Sequence, residues 1–424
     1  MIGRWAHQTF ASLEHGHYRL LWFGTSLAFL AFMMQFVLQS IVAFDLTGKN
    51  SAVGLVGVGM GVATIAISPF GGAIADRVSK RKLLLVGQGT VGASFFVVGI
   101  LILTGLITIY WLVVATFVMG VVFSFIAPAR QAWVGELLPR ELVPNGIALT
   151  QVSMTGTRIV GPFIAGALIA IPFIGTGGAY LFMGGLFVVV VLTLAKLPPS
   201  KPRNPELPAT SVLTDMRLGV RHLQERPRLQ LLAYGFILVA ITGYSFQVVM
   251  PGFLENELGV SSERLWLILV VSAVTGLVAT LGLAAVAGSR WAWPVMLVSC
   301  GGLGISLVAA AFVPSFPLLL VCMLLTGAGM GGFQMLNNAL IMRESEPAFY
   351  GRVMSLTMLA WGAHGIAGLP VGVLADAIGE RQTLFVLGTC VIAIAGVSAI
   401  IYAAVSGKEP VPAVEPTMDT APVE

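Results

Sequence analysis

One arginine, Arg158, sits near the middle of an apolar run, and no Asp or Glu holds a comparable mid-run position. A charge in that setting is costly and usually functional. Gln151, Thr155, Arg158 and Pro162 recur at helical spacing and share one face. Two chemistries fit Arg158: attraction of an anionic group on a bound solute, or hydrogen bonding to backbone carbonyls at a helix end. His364 also lies mid-run, on a face with Thr357 and Trp361. An imidazole titrates near neutral pH and can carry a proton; a hydrogen-bonded packing role is the alternative. Glu136 and Asp45, near the ends of their runs, are rival proton sites or plain interfacial charges. A further constellation is the charged knot from Gly71 to Lys82. A carboxylate at one helix end can meet the positive amino end of another helix. Asp76, Arg77 and Arg81, with Gly72 one turn earlier, therefore read as a gate. The competing reading is a basic cluster that only holds the loop on one side of a membrane.

Other chemistries lack their residues. There is no Gly-Lys-Ser/Thr phosphate loop, no His-Glu-x-x-His and no nucleophile elbow. The Gly-rich run Gly327 to Gly332 lacks the preceding strand of a dinucleotide site and reads as close helix packing. Cys300, Cys322 and Cys390 fall in apolar runs without Cys-x-x-Cys spacing. No catalytic residue, metal site or cofactor is expected, and the chain is not read as an enzyme.

The elements that must position these residues follow from composition. The chain has 424 residues, 57% hydrophobic and 10% charged, against about 25% charged in soluble domains. Too few polar residues are present to cover a soluble surface, so most of the chain must lie in lipid. Runs of bilayer-spanning length are predicted near 20–45, 52–75, 83–104, 108–128, 146–170 and 176–196, then near 229–252, 264–287, 293–313, 316–341, 353–375 and 382–405. The expected fold is an all-α membrane protein of twelve transmembrane helices in two pseudo-symmetric six-helix halves. The amino-terminal half covers 1–196, a proline-rich cytoplasmic linker 197–230, the carboxy-terminal half 231–405, and a disordered cytoplasmic tail 406–424.

Basic residues set the orientation. With the amino terminus inside, the outer loops hold only Lys49, Arg264 and Arg381. Nearly all other Lys and Arg then face the cytoplasm. Both termini are expected there, in a multi-pass protein of the inner or plasma membrane. No cleaved signal peptide is read at the amino end. The net charge of +4 is spent on topology and does not point to nucleic acid.

The halves echo each other: Gly161-Pro162 in the fifth run matches Leu369-Pro370 in the eleventh. The stretch Gly72, Asp76, Arg77, Ser79, Lys80, Arg81 resembles the loop signature of the major facilitator superfamily, with Ser79 in place of a usual Gly. The exporter motif of that superfamily has its counterpart in Gly156, Gly161, Pro162 and Gly166 of span five. More narrowly, Ala127 to Ala132, Leu138 to Leu142, Arg158 to Pro162 and Tyr350 to Ser355 resemble the bacterial branch of enterobactin exporters and macrolide-efflux proteins. One departure stands out: where many proton-coupled exporters carry an Arg four residues before a Gly in span four, this chain has Thr116.

The resemblance implies a cavity between the halves, lined by spans one, four, seven and ten. Those spans offer Gln35, Gln39, Tyr244, Gln247, Gln334, Asn337 and Asn338. Met33, Met34, Phe36, Phe123, Phe125 and Phe246 add apolar, adaptable surface. For each amide taken alone, hydrogen bonding between packed helices is the competing role. The stretch Ala129 to Leu138 is expected along the inner membrane surface, with Trp133 at the interface and Arg130 toward headgroups. Together these readings imply a secondary active transporter that exports an amphipathic small molecule, a drug, siderophore or similar, by alternating access. Protons and membrane lipid are the other expected partners, and the chain is expected to be a monomer. An importer or lysolipid flippase of the same fold, or a non-transporting receptor or scaffold, are the alternatives.

Overall fold

Apolar runs this long cannot leave backbone groups unpaired in lipid, so each closes its hydrogen bonds internally as helix. The computed structural model describes residues 9–200, 220–346 and 349–405; the side chains at 69, 71–77, 350–352 and 354–358 lie outside the description. The amino-terminal helices are α1 (Gly16–Thr47), α2 (Asn50–Arg77), α3 (Lys80–Leu103), α4 (Ile109–Leu137), α5 (Val143–Ile169) and α6 (Gly175–Ala195). The second set is α7 (Pro227–Thr242), α8 (Leu265–Leu283), α9 (Ala292–Ala311), α10 (Phe316–Glu344), α11 (Tyr350–Ile378) and α12 (Glu380–Val405). Among the described residues, 11 segments are long and apolar enough to cross a bilayer. The helix α11 supplies a twelfth of comparable length. Most of the expected linker and the whole expected tail lie outside the described residues.

Sharp reversals use residues suited to them. The helix α1 ends at Gly48, whose φ of 65° is open to glycine at little cost. Only one or two residues separate α1 from α2 and α11 from α12.

The two sets pack by the same plan. In the first, α1 lies against α5 and α6, α2 against α4, and α3 against α4 and α6. In the second, α7 lies against α11 and α12, α8 against α10, and α9 against α10 and α12. Two pairs dominate the boundary between the sets, α2 with α11 and α5 with α8, which the same pseudo-twofold relation exchanges. Small residues make these contacts close. A methyl group on Gly54 would strike the backbone of Gly368, and one on Gly166 would strike the Trp266 ring. The Gly-rich run of α10 works likewise: Gly327 and Gly331 lie against the backbones of Ser272 and Gly276 in α8.

Two expectations need correction. The run near 229–252 is not one helix. After α7 the chain breaks at 243–245, where the Val239 carbonyl accepts from the N–H groups of both Gly243 (2.7 Å) and Tyr244 (3.2 Å). It resumes as a short helix, Phe246–Gly252, followed by a π-helical turn, Phe253–Glu257. The stretch after Ala129 does not lie along a membrane surface either. It forms the last turns of α4, with Trp133 only 1% exposed and Arg130 8% exposed. Arg130 faces the Phe29 ring, 5.1 Å from its centroid. The apolar neighbours on α1 make burial of both side chains the better solution.

Candidate functional site

The end of the bundle where α1 begins is called proximal below, and the opposite end distal. Between the two helix sets, α5 carries Arg158 far from either end. Its side chain is accessible, yet deep within the bundle. It has no hydrogen bond and no ion pair among the described residues. Across the boundary it lies within electrostatic reach of Tyr244. The break after α7 positions that tyrosine: its ring is 1% exposed and its hydroxyl has no partner among the described residues. Phe236, Trp361 and His364 surround it, with ring centroids 5.7 to 6.5 Å away. A guanidinium is a hydrogen-bond donor, so the accessible Arg158 can receive an oxyanion at the boundary, while the Tyr244 hydroxyl is enclosed.

The expected cavity amides divide. Gln35 donates to Gln39 Oε1 at 3.3 Å along α1, while its own buried Oε1 stays unpaired. Gln39, Gln247, Gln334 and Asn338 are half-buried. Phe32 stacks on Phe123 at 5.4 Å and meets Phe36 edge-on at 5.1 Å, joining α1 to α4 by an aromatic wall. Asn337 does not belong to that wall. It is 1% exposed and lines a small pocket inside the second set, between α7, α9, α10 and α12. Met34 and Phe246 are fully buried and serve packing.

His364 Nδ1 lies 3.0 Å from the Ala240 carbonyl, to which it donates, and 3.3 Å from Ser245 Oγ. It thus bridges α11 to α7 and the break beyond it. Glu136 forms an ion pair with the buried Lys80, Nζ to Oε1 2.7 Å. Asp45 accepts from Ser262 Oγ at 3.0 Å at the distal end. The exporter motif also divides: Gly161 packs against Met33 of α1 and Gly166 against Trp266 of α8, while Gly156 faces open space. Thr116 donates to the Val56 carbonyl at 2.7 Å and ties α4 to α2.

The expected gate is described only in part. The side chains of Gly72, Asp76 and Arg77 lie outside the described residues. Arg81 donates from Nε to the Leu194 carbonyl at 3.4 Å and from Nη2 to the Ala195 carbonyl. It thereby caps the carboxy end of α6, where a cation is favoured, and its backbone N–H donates to Ser200 Oγ at 3.3 Å.

Sequence reasoning missed the distal cluster. Asp376, near the end of α11, accepts from the backbone N–H of Asn50 (2.8 Å) and of Ser51 (3.0 Å) at the start of α2. Glu380 Oε1 accepts from Asn50 Nδ2 at 2.9 Å and from Asn256 Nδ2 at 2.7 Å. A signal was present: Gly372 to Asp376 repeats the Gly-x-x-x-Asp spacing of Gly72 to Asp76. Among the described residues, every hydrogen bond between the two sets lies at this distal end: Asp45 with Ser262, and Asn50 and Ser51 with Asp376 and Glu380. At the proximal end the described ion pairs include Lys80–Glu136 within the first set and Arg343–Glu344, 3.6 Å apart, within the second.

Known proteins share this architecture. The chain is 24% identical to the staphyloferrin A transporter of Staphylococcus aureus (strain NCTC 8325 / PS 47), over 87% of this chain and 93% of that protein. It is 21% identical to macrolide efflux protein A of Streptococcus pyogenes, over 86% and 91%. Among solved structures, the nucleoside transporter NupG aligns at TM-score 0.73 and 13% identity, covering 91% of this chain and 99% of that one. A bacterial homologue of the human lysosomal transporter Spinster, in an inward-facing and unoccupied conformation, aligns at TM-score 0.75 and 13% identity, over 94% and 98%. A family model of the Major Facilitator Superfamily matches residues 21–368, and with twelve helices in two matching sets this chain is a multi-pass membrane transporter that belongs to that superfamily.

Proposed function

We propose that this transporter exports an amphipathic small molecule by alternating access, driven by the proton gradient. The proximal face is cytoplasmic and both termini lie inside. Residues 1–196 and 231–405 act as the two moving bodies, joined by the linker 197–230. One observation carries the reading: among the described residues, the hydrogen bonds between the bodies gather at the distal end, while Arg158 lies accessible and has no hydrogen bond or ion pair. A carrier closed outside and open to the cytoplasm has this distribution, and it is the state in which an exporter loads.

The substrate meets Arg158 through an oxyanion, and the Phe32–Phe36–Phe123 wall through its apolar body. The apolar interior of a membrane protein offers Arg158 no alternative counter-charge, so an anionic group on the solute lowers the cost of its burial. The efflux name of one relative and the exporter motif around Gly161 and Pro162 support the outward direction. His364 is the residue assigned to the coupling proton, because it joins α11 to the break beside Tyr244, where binding and helix movement meet. The ion-paired Glu136 is set aside for that role.

Flux across inside-out membrane vesicles tests the whole reading. A panel of radiolabelled amphipathic carboxylates should accumulate inside when an inward-acid proton gradient is imposed, and should not when it is collapsed. Accumulation restricted to right-side-out vesicles would make the protein an importer. No carrier-dependent flux in either orientation would reject transport of this class.

A further inference from the structure

The distal cluster is built around a charge problem. Asp376 and Glu380 both come from the second body, and neither has an ion-pair partner among the described residues. Arg381, next to Glu380 in the chain, is held by Glu257 (Nε to Oε2 2.6 Å) and by the carbonyls of Ala311 and Val313 (both 2.9 Å). What faces the Asp376 carboxylate is the amino end of α2, whose first N–H groups lack partners within the helix and carry the positive end of its dipole. Both carboxylate oxygens are used, one on Asn50 and one on Ser51. Asn50 is 1% exposed, and its amide reaches Glu380. Gly372 allows the approach, because any side chain there would collide with the Asn50 backbone. These bonds join the two bodies.

We propose that Asp376 is a positioning residue of the transport cycle: its carboxylate latches the amino end of α2 to hold the distal face shut, and the carrier opens there only when it lets go. The chemistry suits a reversible closure. Released Asn50 and Ser51 N–H groups and the freed carboxylate would each find water at the membrane surface, so breaking these bonds exchanges partners at small net cost. A closure made only of apolar packing would expose hydrophobic surface at every turn of the cycle. The latch therefore sets the balance between the two states without fixing it in one.

Paired accessibility measurements in lipid nanodiscs, where reagent reaches both faces, test this. The exposed Cys390 is first replaced by Ala, and one reporter cysteine is introduced in place of either Gln247, on the distal side, or Gln151, on the proximal side of the Arg158 face. With Asp376→Ala, maleimide labelling at position 247 should rise about tenfold while labelling at position 151 falls. Asp376→Asn, which keeps one neutral acceptor, should lie between Ala and the parent. Opposite movement of the two reporters is the signature of a shifted equilibrium. Unfolding would raise both, and Glu257→Gln, which loosens the neighbouring Arg381 within one body, serves as the comparison and should leave the ratio of the two rates unchanged. Unchanged labelling at both positions in a monodisperse Asp376→Ala protein would overturn the proposal, as would an equal rise at both.

Discussion

Lys80 and Glu136 meet at 2.7 Å at the proximal end of the first body, the lysine almost completely buried and the glutamate about a third exposed. Glu344 ends α10 as Glu136 ends α4, and it too collects cations: Arg343 at 3.6 Å and Arg228 at 3.9 Å. Among the described residues, the two helix sets therefore carry matching carboxylates that each pair with basic residues of their own set. Replacing Glu136 by Gln should destabilise the detergent-solubilised protein by about 1–2 kcal/mol. That lies below the range for a fully buried pair because water screens the exposed glutamate. A fluorescence thermal melt checks it. The proton dependence of transport should be retained in that variant.

Arg158 should behave in the opposite way. It has no partner among the described residues to leave unsatisfied, so Arg158→Gln should change the melting temperature little. Flux of an anionic amphiphile should fall at least tenfold, mainly through KM. A neutral analogue of the same shape should lose much less. Equal loss for both would assign Arg158 to the fold.

The seam between α2 and α11 makes a third expectation. At Gly54 a side chain would occupy the place of the Gly368 backbone. Gly54→Val should disfavour the distally closed state, since overpacking costs about 1–3 kcal/mol and the strain is relieved when the bodies part. Cross-linking between cysteines placed at Ser51 and Val373 should drop several-fold.

Proton binding outside the membrane gives a fourth. His222 is buried against Phe349, ring centroids 4.1 Å apart and nearly parallel. Burial, and then the neighbouring Arg226 cation, push its pKa below the ordinary 6.5, against smaller opposing effects from Glu346 and Glu225. The unfolded or undocked chain then binds the proton more readily than the docked one. The contribution of this contact is complete above about pH 6.5 and is lost as pH falls from there through the lower docked value. Hydrogen exchange around 220–226 should accelerate as pH falls through that window, after correction for intrinsic rates. His222→Phe keeps a ring for the stack and should abolish the dependence.

Much of this molecule is legible in the chain. Runs of uninterrupted apolar residues can satisfy their backbone in lipid only as helices, so the twelve spans and their all-α class follow from local sequence. The repeated Gly-Pro of span five and Leu-Pro of span eleven foreshadow the matching packing plans of the two bodies. Arg158 is legible as well, because a lone charge in an apolar run stands out whatever surrounds it.

The partner of each face is not written locally. Asn337 and Gln334 are neighbours on one helix and look alike in sequence, yet Asn337 is buried in a pocket of its own body while Gln334 is half-buried. Arg130 and Trp133 read as interfacial because such residues favour membrane surfaces, but α1 offers them Phe29 and an apolar wall instead. In an apolar bundle no contrast of hydrophobicity distinguishes lipid, the same body and the opposite body. Only the packing of helices far apart in the chain makes that choice. Asp376 and Asn50 show it most plainly: each alone is a polar residue at a helix end, and their contact exists only because α2 and α11 run side by side in opposite directions.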